Sequence, residues 1–267
     1  RPRALITHRH PAQVRRTGFA TDVGRLRPVN EDAALTGPYV FMVADGMGGQ
    51  AAGDVASGLA VARLGRLANR TEITATDIKA ELVACNHEIL DAAERDVGRT
   101  GMGTTVAGLV LVTLAGTRHW VVFNVGDSRV YRFLDGRLMR VTVDHSEVEE
   151  LVASGAIRAE EARTHPRRSV VTRVLGMRPD PEPDVWVFPT SPGERFLICS
   201  DGLTSELADS EIAAVLRAQP VAQAAADALV AGAVIAGGRD NVTVVVVDHV
   251  APGGELSGDT LERAVAA

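Results

Sequence analysis

The chain has 267 residues, of which 46% are hydrophobic and 23% are charged, and its formal net charge is −6 at pH 7. This length allows a substantial buried core, and the composition is ordinary for a globular protein. Because the net charge is negative, nonspecific binding to nucleic acid has no electrostatic support, and we expect no nucleic-acid partner.

No apolar run approaches the roughly 18 residues that a membrane-spanning helix requires, and no apolar signal-peptide segment follows the basic N-terminus. We therefore expect no membrane span in this chain and a cytoplasmic location, either for a whole protein or for the cytoplasmic domain of a longer one. Cys85 and Cys199 lie within apolar patterns. They are expected to be buried free thiols, which suits a reducing compartment.

The length allows one large domain or two small ones, and the pattern along the chain predicts an irregular lead-in at residues 1–16, regular elements within 17–248 and a tail at 249–267. Strands are predicted at residues 17–23, 33–36, 39–44, 104–114, 119–125, 128–133, 138–141, 184–188, 195–200 and 242–248. Helices are predicted at residues 51–69, 77–97, 146–154, 158–163, 210–218 and 221–236. Thr76 or Asp77 is expected to cap the second helix.

The strands come in consecutive runs, which favours an α+β fold with antiparallel sheets over a doubly wound parallel sheet. The longer helices occur in pairs that could each cover one face of a sheet. We therefore predict two packed antiparallel β-sheets, a β-sandwich, flanked by pairs of α-helices. Residues 144–180 are less apolar and contain six arginines and two short predicted helices, so they are interpreted as a small helical flap.

Residues 39–53 suggest a functional site. Their apolar run predicts a strand that is buried on both faces and ends at Asp45, which a glycine follows. The same pattern recurs where predicted apolar strands lead into Asp127 and Asp201. A fourth acid, Asp240, has the mirror arrangement, because it lies just before the last predicted strand.

One aspartate-glycine pair after a strand would be interpreted as a turn. Four acids at strand ends can instead share one rim of a sheet, where their charges repel one another. Hard divalent cations relieve such repulsion, and oxygen ligands without His or Cys favour Mg²⁺ or Mn²⁺ over Zn²⁺. Two ions about 3.5–4 Å apart could share a carboxylate and a water, whose lowered pKa would allow attack on phosphorus near neutral pH.

An arginine is suited to binding the substrate phosphate beside such a centre, because its charge is permanent and its contacts are bidentate. Arg27, in the loop that leads to Glu31 and Asp32, is the best placed. Considered alone, an arginine in a loop would be interpreted as a solvated surface charge.

These residues lie within short motifs that follow one another along residues 17–248. The motifs are RPVNED at 27–32, VADGMGG at 43–49, GTT at 103–105, GDSR at 126–129, DHS at 144–146, HPRR at 165–168, SDGL at 200–203 and GRDN at 238–241. In this order they resemble the metal-dependent protein phosphatase family, and more closely its bacterial protein phosphatase 2C type. The ordered set is highly specific, whereas any single motif would be weak.

The resemblance implies a catalytic domain over residues 17–248 with two to three Mn²⁺ or Mg²⁺ ions in a cleft at one end of the sandwich. It implies that Arg27 takes the substrate phosphate and that Asp45 is catalytic as the ligand bridging two ions. The other implied ligands are the carbonyl of Gly46, Asp201 and Asp240, Asp127 for a third ion, and Glu31 and Asp32 mainly through water.

Two positions depart from the family pattern. Some relatives have a histidine after the first aspartate-glycine pair, proposed as the general acid, and many bacterial ones have a histidine after the paired glycines. Here these positions are Met47 and Gln50. The acid stays open: a metal-bound water could serve, and so could His145 or His165, although flap structure is the expected role of both histidines.

The expected activity is metal-dependent hydrolysis of phosphoserine and phosphothreonine in proteins, by a metal-bridging hydroxide that attacks phosphorus. Expected partners are phosphorylated proteins, in particular Ser/Thr kinases and their substrates, and the chain is expected to be a monomer. One alternative is a catalytically weak scaffold of the same fold that captures phosphorylated partners. Another is a phosphatase for a small phosphoester, because the metal site recognises only the phosphoryl group.

Overall fold

The computed structural model describes residues 15–48, 52–70 and 73–249. The strands are β1 (Arg15–Asp22), β2 (Asp32–Thr36), β3 (Val40–Met47), β4 (Gly103–Thr104), β5 (Val106–Leu114), β6 (Thr117–Val125), β7 (Arg129–Leu134), β8 (Arg137–Arg140), β9 (Asp184–Pro189), β10 (Arg195–Cys199) and β11 (Val242–His249). The α-helices are α1 (Gly53–Gly65), α2 (Ala75–Arg95), α3 (Glu147–Ala153), α4 (Ala159–Ala162), α5 (Asp201–Thr204), α6 (Asp209–Ala218) and α7 (Ala222–Ala236).

The strands form two antiparallel sheets. The strand order is β1-β11-β10-β7-β8 in one sheet and β2-β3-β5-β6-β9 in the other, where the short β4 also pairs with β3. The helices α1 and α2 cover the sheet that contains β3, and α6 and α7 cover the sheet that contains β11. The predicted α+β fold with two packed sheets and flanking helix pairs is therefore confirmed.

Alternate residues of β3 belong to different core clusters. Val40 and Met42 pack with residues of α1 and α2, whereas Phe41 and Val43 pack between the two sheets with residues such as Ile198. Each of these side chains is at most 1% exposed. Because successive strand residues point to opposite faces, the strand is buried on both sides, as its apolar run predicts.

The ends of β3 differ from the prediction. The strand begins after Tyr39, which is 40% exposed, and it continues past Asp45 to Met47. The continuation arises because β4 supplies backbone partners: Gly46 pairs with Thr104. The prediction that Asp45 ends its strand is therefore wrong, since this pairing comes from a segment far along the chain.

Other predicted elements are shifted or divided. The predicted strand at 104–114 is split at Thr105 into β4 and β5, and residues 15 and 16 of the predicted lead-in belong to β1. The short helix α5 was missed. The start of the helix predicted at 51–69 lies partly outside the described residues, and its end is a 3₁₀ turn, Arg66–Asn69.

The cap of α2 also differs from the prediction. The helix begins at Ala75, and the hydroxyl of Thr74 accepts a hydrogen bond from Asp77 N at 3.1 Å. The Asp77 carboxylate accepts one from Thr74 N at 2.8 Å. This is a capping box, so Thr74 is the cap and Asp77 its reciprocal partner, which corrects the prediction of Thr76 or Asp77 as the cap.

Two smaller predictions concern the cysteines and membrane segments. Cys85 and Cys199 are free and buried, as expected. Among the helices that the structure describes, none combines the length and apolar character needed to cross a bilayer.

Glu194 anchors the end of the sandwich at which β10 begins. Its carboxylate is 0% exposed, pairs with Arg132 at 2.7 Å and accepts a hydrogen bond from the Trp120 indole at 2.7 Å. We predict that Glu194→Ala lowers the free energy of unfolding by about 3–5 kcal/mol, because it leaves a half-buried guanidinium without its partner charge. Chemical denaturation followed by tryptophan fluorescence measures this loss. Glu194→Gln keeps the shape and should lose less, and a loss below about 1 kcal/mol for the alanine variant would contradict the prediction.

Candidate metal centre

Two of the predicted acids face each other on neighbouring strands. Asp32, the first residue of β2, is the cross-strand partner of Asp45 in β3. Side chains of directly opposed residues project from the same face of a sheet, so both carboxylates point to the same side. The register of the two strands therefore brings this acid pair together.

Two threonines hold the backbone at Asp45. The hydroxyl of Thr105 accepts a hydrogen bond from Asp45 N at 3.1 Å, and the hydroxyl of Thr104 donates one to the Asp45 carbonyl at 3.0 Å. The following residue has no room for a side chain, because a Cβ on Gly46 would lie 2.1 Å from the carbonyl oxygen of Gly53. Only glycine permits this approach of the strand to the start of α1.

Glu31 joins the loop before β2 to α1. Its carboxylate accepts a hydrogen bond from Gly53 N at 3.0 Å, and its carbonyl accepts one from the Ser57 hydroxyl at 2.7 Å. A carboxylate is stabilised at this end of a helix by the free N–H groups and by the helix dipole. In this arrangement Glu31 lies beside the cluster with one carboxylate oxygen already engaged.

Ser200 connects the two sheets under the acids. It follows β10, its hydroxyl donates to Asp32 Oδ2 at 2.8 Å, and it accepts a hydrogen bond from Thr243 N at 2.9 Å. Asp32 belongs to one sheet and Thr243 to the other. A single buried serine thereby fixes the position of the Asp32 carboxylate relative to β11.

Asp201 and Asp240 lie on segments that touch each other. Asp201 is the first residue of α5, and Asp240 is followed by Asn241, the residue before β11. A Cβ on Gly202 would lie 2.0 Å from the carbonyl oxygen of Asn241. Since only a glycine fits here, the two acids are held close together by backbone packing.

Asn241 holds the loop that carries Arg27. Its amide donates to the carbonyls of Val23 and Val29 at 2.9 and 3.0 Å, and its oxygen accepts from Glu31 N at 2.8 Å. All three of these hydrogen bonds are made to one segment, residues 23–31. The loop between β1 and β2 is consequently fixed at both of its ends.

Asp127 lies in the turn between β6 and β7 and is 8% exposed. The turn requires a glycine before it, because Gly126 has a φ of +114°. Two residues further on, Arg129 forms a bidentate ion pair with Asp144, with a shortest distance of 2.6 Å. This partly buried arginine provides a fixed positive charge near Asp127.

The acids raise one another's pKa values. Burial raises the pKa of Asp32 to about 7, and the charges of Asp201 and Asp240 add to the rise. The nearby hydroxyls of Thr243 and Ser200 oppose this rise in the pKa of Asp32. Burial likewise raises the pKa of Asp201 to about 6, with the charge of Asp240 as the second cause.

Asp45 and Asp127 are affected in the same direction. The pKa of Asp45 lies well above its usual value, first because the group is buried and then because of the charges of Asp32 and Asp201. Burial and the charge of Asp201 also raise the pKa of Asp127, whereas Arg129 opposes this. Mutual effects of this kind require that the carboxylates lie close together, and they identify a site where ionised groups are held against their repulsion.

Arg27 reaches the cluster from its rim. Its guanidinium lies 2.8 Å from Asp240 Oδ2, while 49% of the side chain is exposed. The hydrogen bond to Asp240 is the main reason that the pKa of Arg27 is raised, so the group stays charged. The arginine is therefore both joined to the acids and accessible from solvent.

Asp32 supplies an observation that fits a cation. Its Oδ1 atom is buried and has no hydrogen-bond partner among the residues that the structure describes. A buried carboxylate oxygen without a donor is costly, and a divalent ion nearby would remove that cost. In the same described ranges, no group of three or more His, Cys, Asp or Glu side chains forms a ready-made cage for one ion. Mg²⁺ typically takes one or two carboxylates and keeps several waters, so the donor set fits a hydrated ion.

The structure thus brings Asp32, Asp45, Asp127, Asp201 and Asp240 into one electrostatic cluster, with Arg27, Glu31 and Gly46 at its edge. Three residues without a predicted role hold these acids in place, namely Ser200, Asn241 and Arg129. A polar residue that directly adjoins an acid at the end of an apolar run is a signal that could have found the first two.

The histidines considered as acids are engaged elsewhere or lie in the flap. His145 is 4% exposed; its Nδ1 accepts from Gly126 N at 3.1 Å and its Nε2 lies 3.1 Å from Asp184. Burial lowers the pKa of His145. His165 Nδ1 accepts from Arg167 N at 3.2 Å. Gln50 lies outside the described residues.

The sequence is similar to a known protein family and to named members of it. The sequence matches the family described as protein phosphatase 2C over residues 29–231. The serine/threonine phosphatase stp of Listeria monocytogenes is 37% identical over 242 residues, which make up 86% of this chain and 94% of that protein. The serine/threonine protein phosphatase PstP of Mycobacterium tuberculosis is 39% identical over 241 residues, which make up 89% of this chain and 45% of that longer protein.

A solved structure agrees with these relatives. The crystal structure of the catalytic domain of PstP in complex with two manganese ions is similar to this chain with a TM-score of 0.80. The identity is 35%, and the match covers 89% of this chain and 99% of that one.

The raised pKa values predict how stability depends on pH without added metal. An aspartate whose pKa is raised in the folded state favours folding at low pH, and this contribution is lost as pH rises through the folded pKa. For Asp201 and Asp32 the loss falls between about pH 4 and values of about 6 and 7. We predict that, in EDTA, the melting temperature falls from pH 5 to pH 8. Differential scanning fluorimetry measures this, and Asp32→Asn should flatten the slope; an unchanged slope in that variant would contradict the assignment.

Proposed function

Since this chain belongs to the protein phosphatase 2C family, we propose that it hydrolyses phosphoserine and phosphothreonine in proteins with divalent metal ions as cofactors. The observation that carries the proposal is the cluster of five aspartates held in place against their own repulsion, with Arg27 at the rim. The identity of 37–39% to Ser/Thr phosphatases over most of this chain supports the same activity.

The metal ligands of this chain are proposed from its own donors. Asp45 would bridge two ions, the carbonyl of Gly46 would bind one of them, and Asp201 and Asp240 would bind the other. Glu31 and Asp32 would act mainly through water, and Asp127 with Asp201 would hold a third ion. Such ions lower the pKa of bound water and neutralise the charge of a phosphoryl group.

The manganese ions in the PstP complex support Mn²⁺ as the cofactor, and Mg²⁺ fits the same oxygen donors. The orphaned Oδ1 of Asp32 supports a cation beside that residue. The fixed backbone at Asp45 and Gly46 supports their role as central ligands, because pre-positioned oxygen atoms lose little entropy when they bind an ion.

Arg27 is proposed to bind the substrate phosphate. Its side chain is 49% exposed, and its guanidinium donates a hydrogen bond to Asp240. A guanidinium has five N–H donors, so others could donate two parallel hydrogen bonds to a phosphate. Because the loop around it is fixed by Asn241, the arginine would be held near the acids before the substrate arrives.

Proton delivery to the leaving group is not assigned to His145, because both of its ring nitrogens contact protein groups and the side chain is enclosed. Met47 carries no proton to give. These two positions favour a proton that comes from solvent at the site over one from His145.

The observations support the two alternative functions less well. A scaffold without activity has no need to keep five aspartates in a cluster that destabilises the fold. A small phosphoester would satisfy Arg27 equally well, and it is disfavoured because the similar proteins are protein phosphatases. Substrate competition between a phosphopeptide and a small phosphoester tests the second alternative.

We further propose that residues 17–248 form the catalytic domain and that residues 144–180 form the flap. Ser/Thr kinases and their phosphorylated substrates are the proposed partners, the chain is proposed to act as a monomer, and its proposed location is the cytoplasm. The free, buried Cys85 and Cys199 support a reducing compartment.

The first test is metal-dependent release of phosphate from a phosphothreonine peptide. We expect activity with Mn²⁺ and none with excess EDTA, and Asp45→Asn should lower kcat by more than about 100-fold because it weakens the bridging ligand. A malachite-green assay measures the phosphate. Activity that persists in EDTA, or in Asp45→Asn, would sink the proposed mechanism.

The second test concerns Arg27. Arg27→Ala should lower kcat/KM for the phosphopeptide by about 10- to 100-fold, the size of a lost charged hydrogen bond of about 1.5–3 kcal/mol. Arg27→Lys keeps the charge but loses the bidentate geometry, so it should recover only part of the loss. Steady-state kinetics measure this difference. Arg217 is an exposed arginine on α6, so Arg217→Ala serves as a matched control. Equal kinetics for Arg27→Ala and this control would refute the role.

A further inference from the structure

Asn86, in the middle of α2, joins this helix to the segment by which the flap returns to the fold. The side chain is 0% exposed. Its oxygen accepts hydrogen bonds from Gly176 N at 2.6 Å and Met177 N at 3.2 Å. Its amide donates to the Met177 carbonyl at 3.1 Å and to the Asp180 carboxylate at 2.8 Å. One buried carboxamide therefore satisfies four groups of residues 176–180.

The residue before this segment is bonded directly to β4. Leu175 N donates to the Thr104 carbonyl at 2.9 Å, and Thr104 N donates to the Leu175 carbonyl at 3.0 Å. This reciprocal pair extends the edge of the sheet by one residue. The position of β4 consequently depends on where Leu175 lies.

On its other side, β4 holds the strand that carries the proposed bridging ligand. Thr104 pairs with Gly46, and its hydroxyl donates to the Asp45 carbonyl at 3.0 Å. Thr105 N donates to the same carbonyl at 2.9 Å. Asn86 is thus connected to Asp45 by its hydrogen bond to Gly176, the peptide bond from Gly176 to Leu175, and the hydrogen bonds that Thr104 makes to Leu175 and to Asp45.

Close backbone packing makes this connection stiff. A Cβ on Gly103 would lie 2.8 Å from the Leu175 carbonyl, and one on Gly176 would lie 2.6 Å from the Met102 carbonyl. Gly176 also has a φ of +100°, which other residues rarely adopt. The returning segment and β4 therefore lie in contact without a layer of side chains between them, so a shift of one displaces the other.

We propose that Asn86 is a positioning residue for the metal centre, which fixes Asp45 and Gly46 through the returning segment and β4. The inference rests on the proposed function, because it assumes that Asp45 and Gly46 are metal ligands. The role is separate from packing, since α2 is held to the sheet by apolar residues such as Ile78 and Leu82. Residues that orient metal ligands from a distance commonly set metal affinity.

The first experiment compares Asn86→Ala with Ile78→Ala in the full chain. Ile78 is buried in α2 two turns earlier, and its side chain has no donor or acceptor, so its variant removes none of the hydrogen bonds to residues 176–180 and reports on general loss of stability. Hydrogen exchange is measured at the amides of Thr104 and Leu175, with EDTA present. We expect these amides to exchange at least about tenfold faster in Asn86→Ala than in Ile78→Ala, because local opening no longer requires breaking the bonds to Asn86.

The second measurement is Mn²⁺ binding by isothermal titration calorimetry. Asn86→Ala should bind Mn²⁺ about tenfold more weakly than the unaltered chain, at the low end of the range for residues that orient metal ligands. Ile78→Ala should bind Mn²⁺ with unchanged affinity as long as it is folded at the temperature used. Equal Mn²⁺ affinity in the two variants overturns the inference.

Exchanging the carboxamide and the carboxylate between positions 86 and 180 distinguishes the effect of the hydrogen bonds from the effect of side-chain size. Asn86→Asp keeps the acceptor for Gly176 and Met177 but places a second carboxylate beside Asp180, so it should weaken Mn²⁺ binding. Combining it with Asp180→Asn restores a donor and should recover most of the affinity, while Asp180→Asn alone should have little effect. Failure of the double variant to exceed Asn86→Asp overturns the inference.

Failure of the inference and failure of the proposed function have different signatures. An unaltered chain that neither binds Mn²⁺ nor releases phosphate from a phosphothreonine peptide contradicts the proposed function. An unaltered chain that does both, with Asn86→Ala matching Ile78→Ala in exchange and in Mn²⁺ affinity, contradicts only the role of Asn86.

Discussion

Repulsion among ionised carboxylates is the constraint on which the centre of this molecule depends. Asp32, Asp45, Asp127 and Asp201 all have raised pKa values, because each is withdrawn from water and faces the charge of another. Such a cluster weakens the fold that carries it, so strong interactions elsewhere must hold it together. The strand β3 supplies the rigid base of the cluster, because one of its faces packs against α1 and α2 and the other packs against the second sheet.

Short polar side chains complete that support. Ser200 connects Asp32 to β11, Asn241 fixes the loop that carries Arg27, and two threonines fix the backbone at Asp45. These groups hold the site by direct hydrogen bonds, which for Ser200 connect the two sheets and for the threonines connect neighbouring strands of one sheet. Specific hydrogen bonds therefore fix the rim of the sandwich, which a site made of charged groups requires.

Buried side chains also form hydrogen bonds at both ends of residues 144–180. His145 binds the turn of Asp127 on one side, and Asn86 binds the returning segment on the other. Both side chains are buried and hydrogen-bonded within the protein, so they position segments of the site by contacts within the protein. Residues 144–180 are thereby connected at one end to the turn that carries Asp127 and at the other end to α2 and β4.

The sequence by itself determined the α+β class, the order of most elements, the double burial of β3 and the identity of the acids, because these follow from local periodicity and from ordered motifs. Only the tertiary structure decided that Asp45 lies inside its strand, that Asp32 faces it in register, and that Ser200, Asn241 and Asn86 hold the site. These features depend on pairing between segments up to 218 residues apart, as in the bond from Asn241 to the Val23 carbonyl. Local sequence patterns do not predict such contacts, because the packing of the two sheets determines which distant groups come within hydrogen-bond distance.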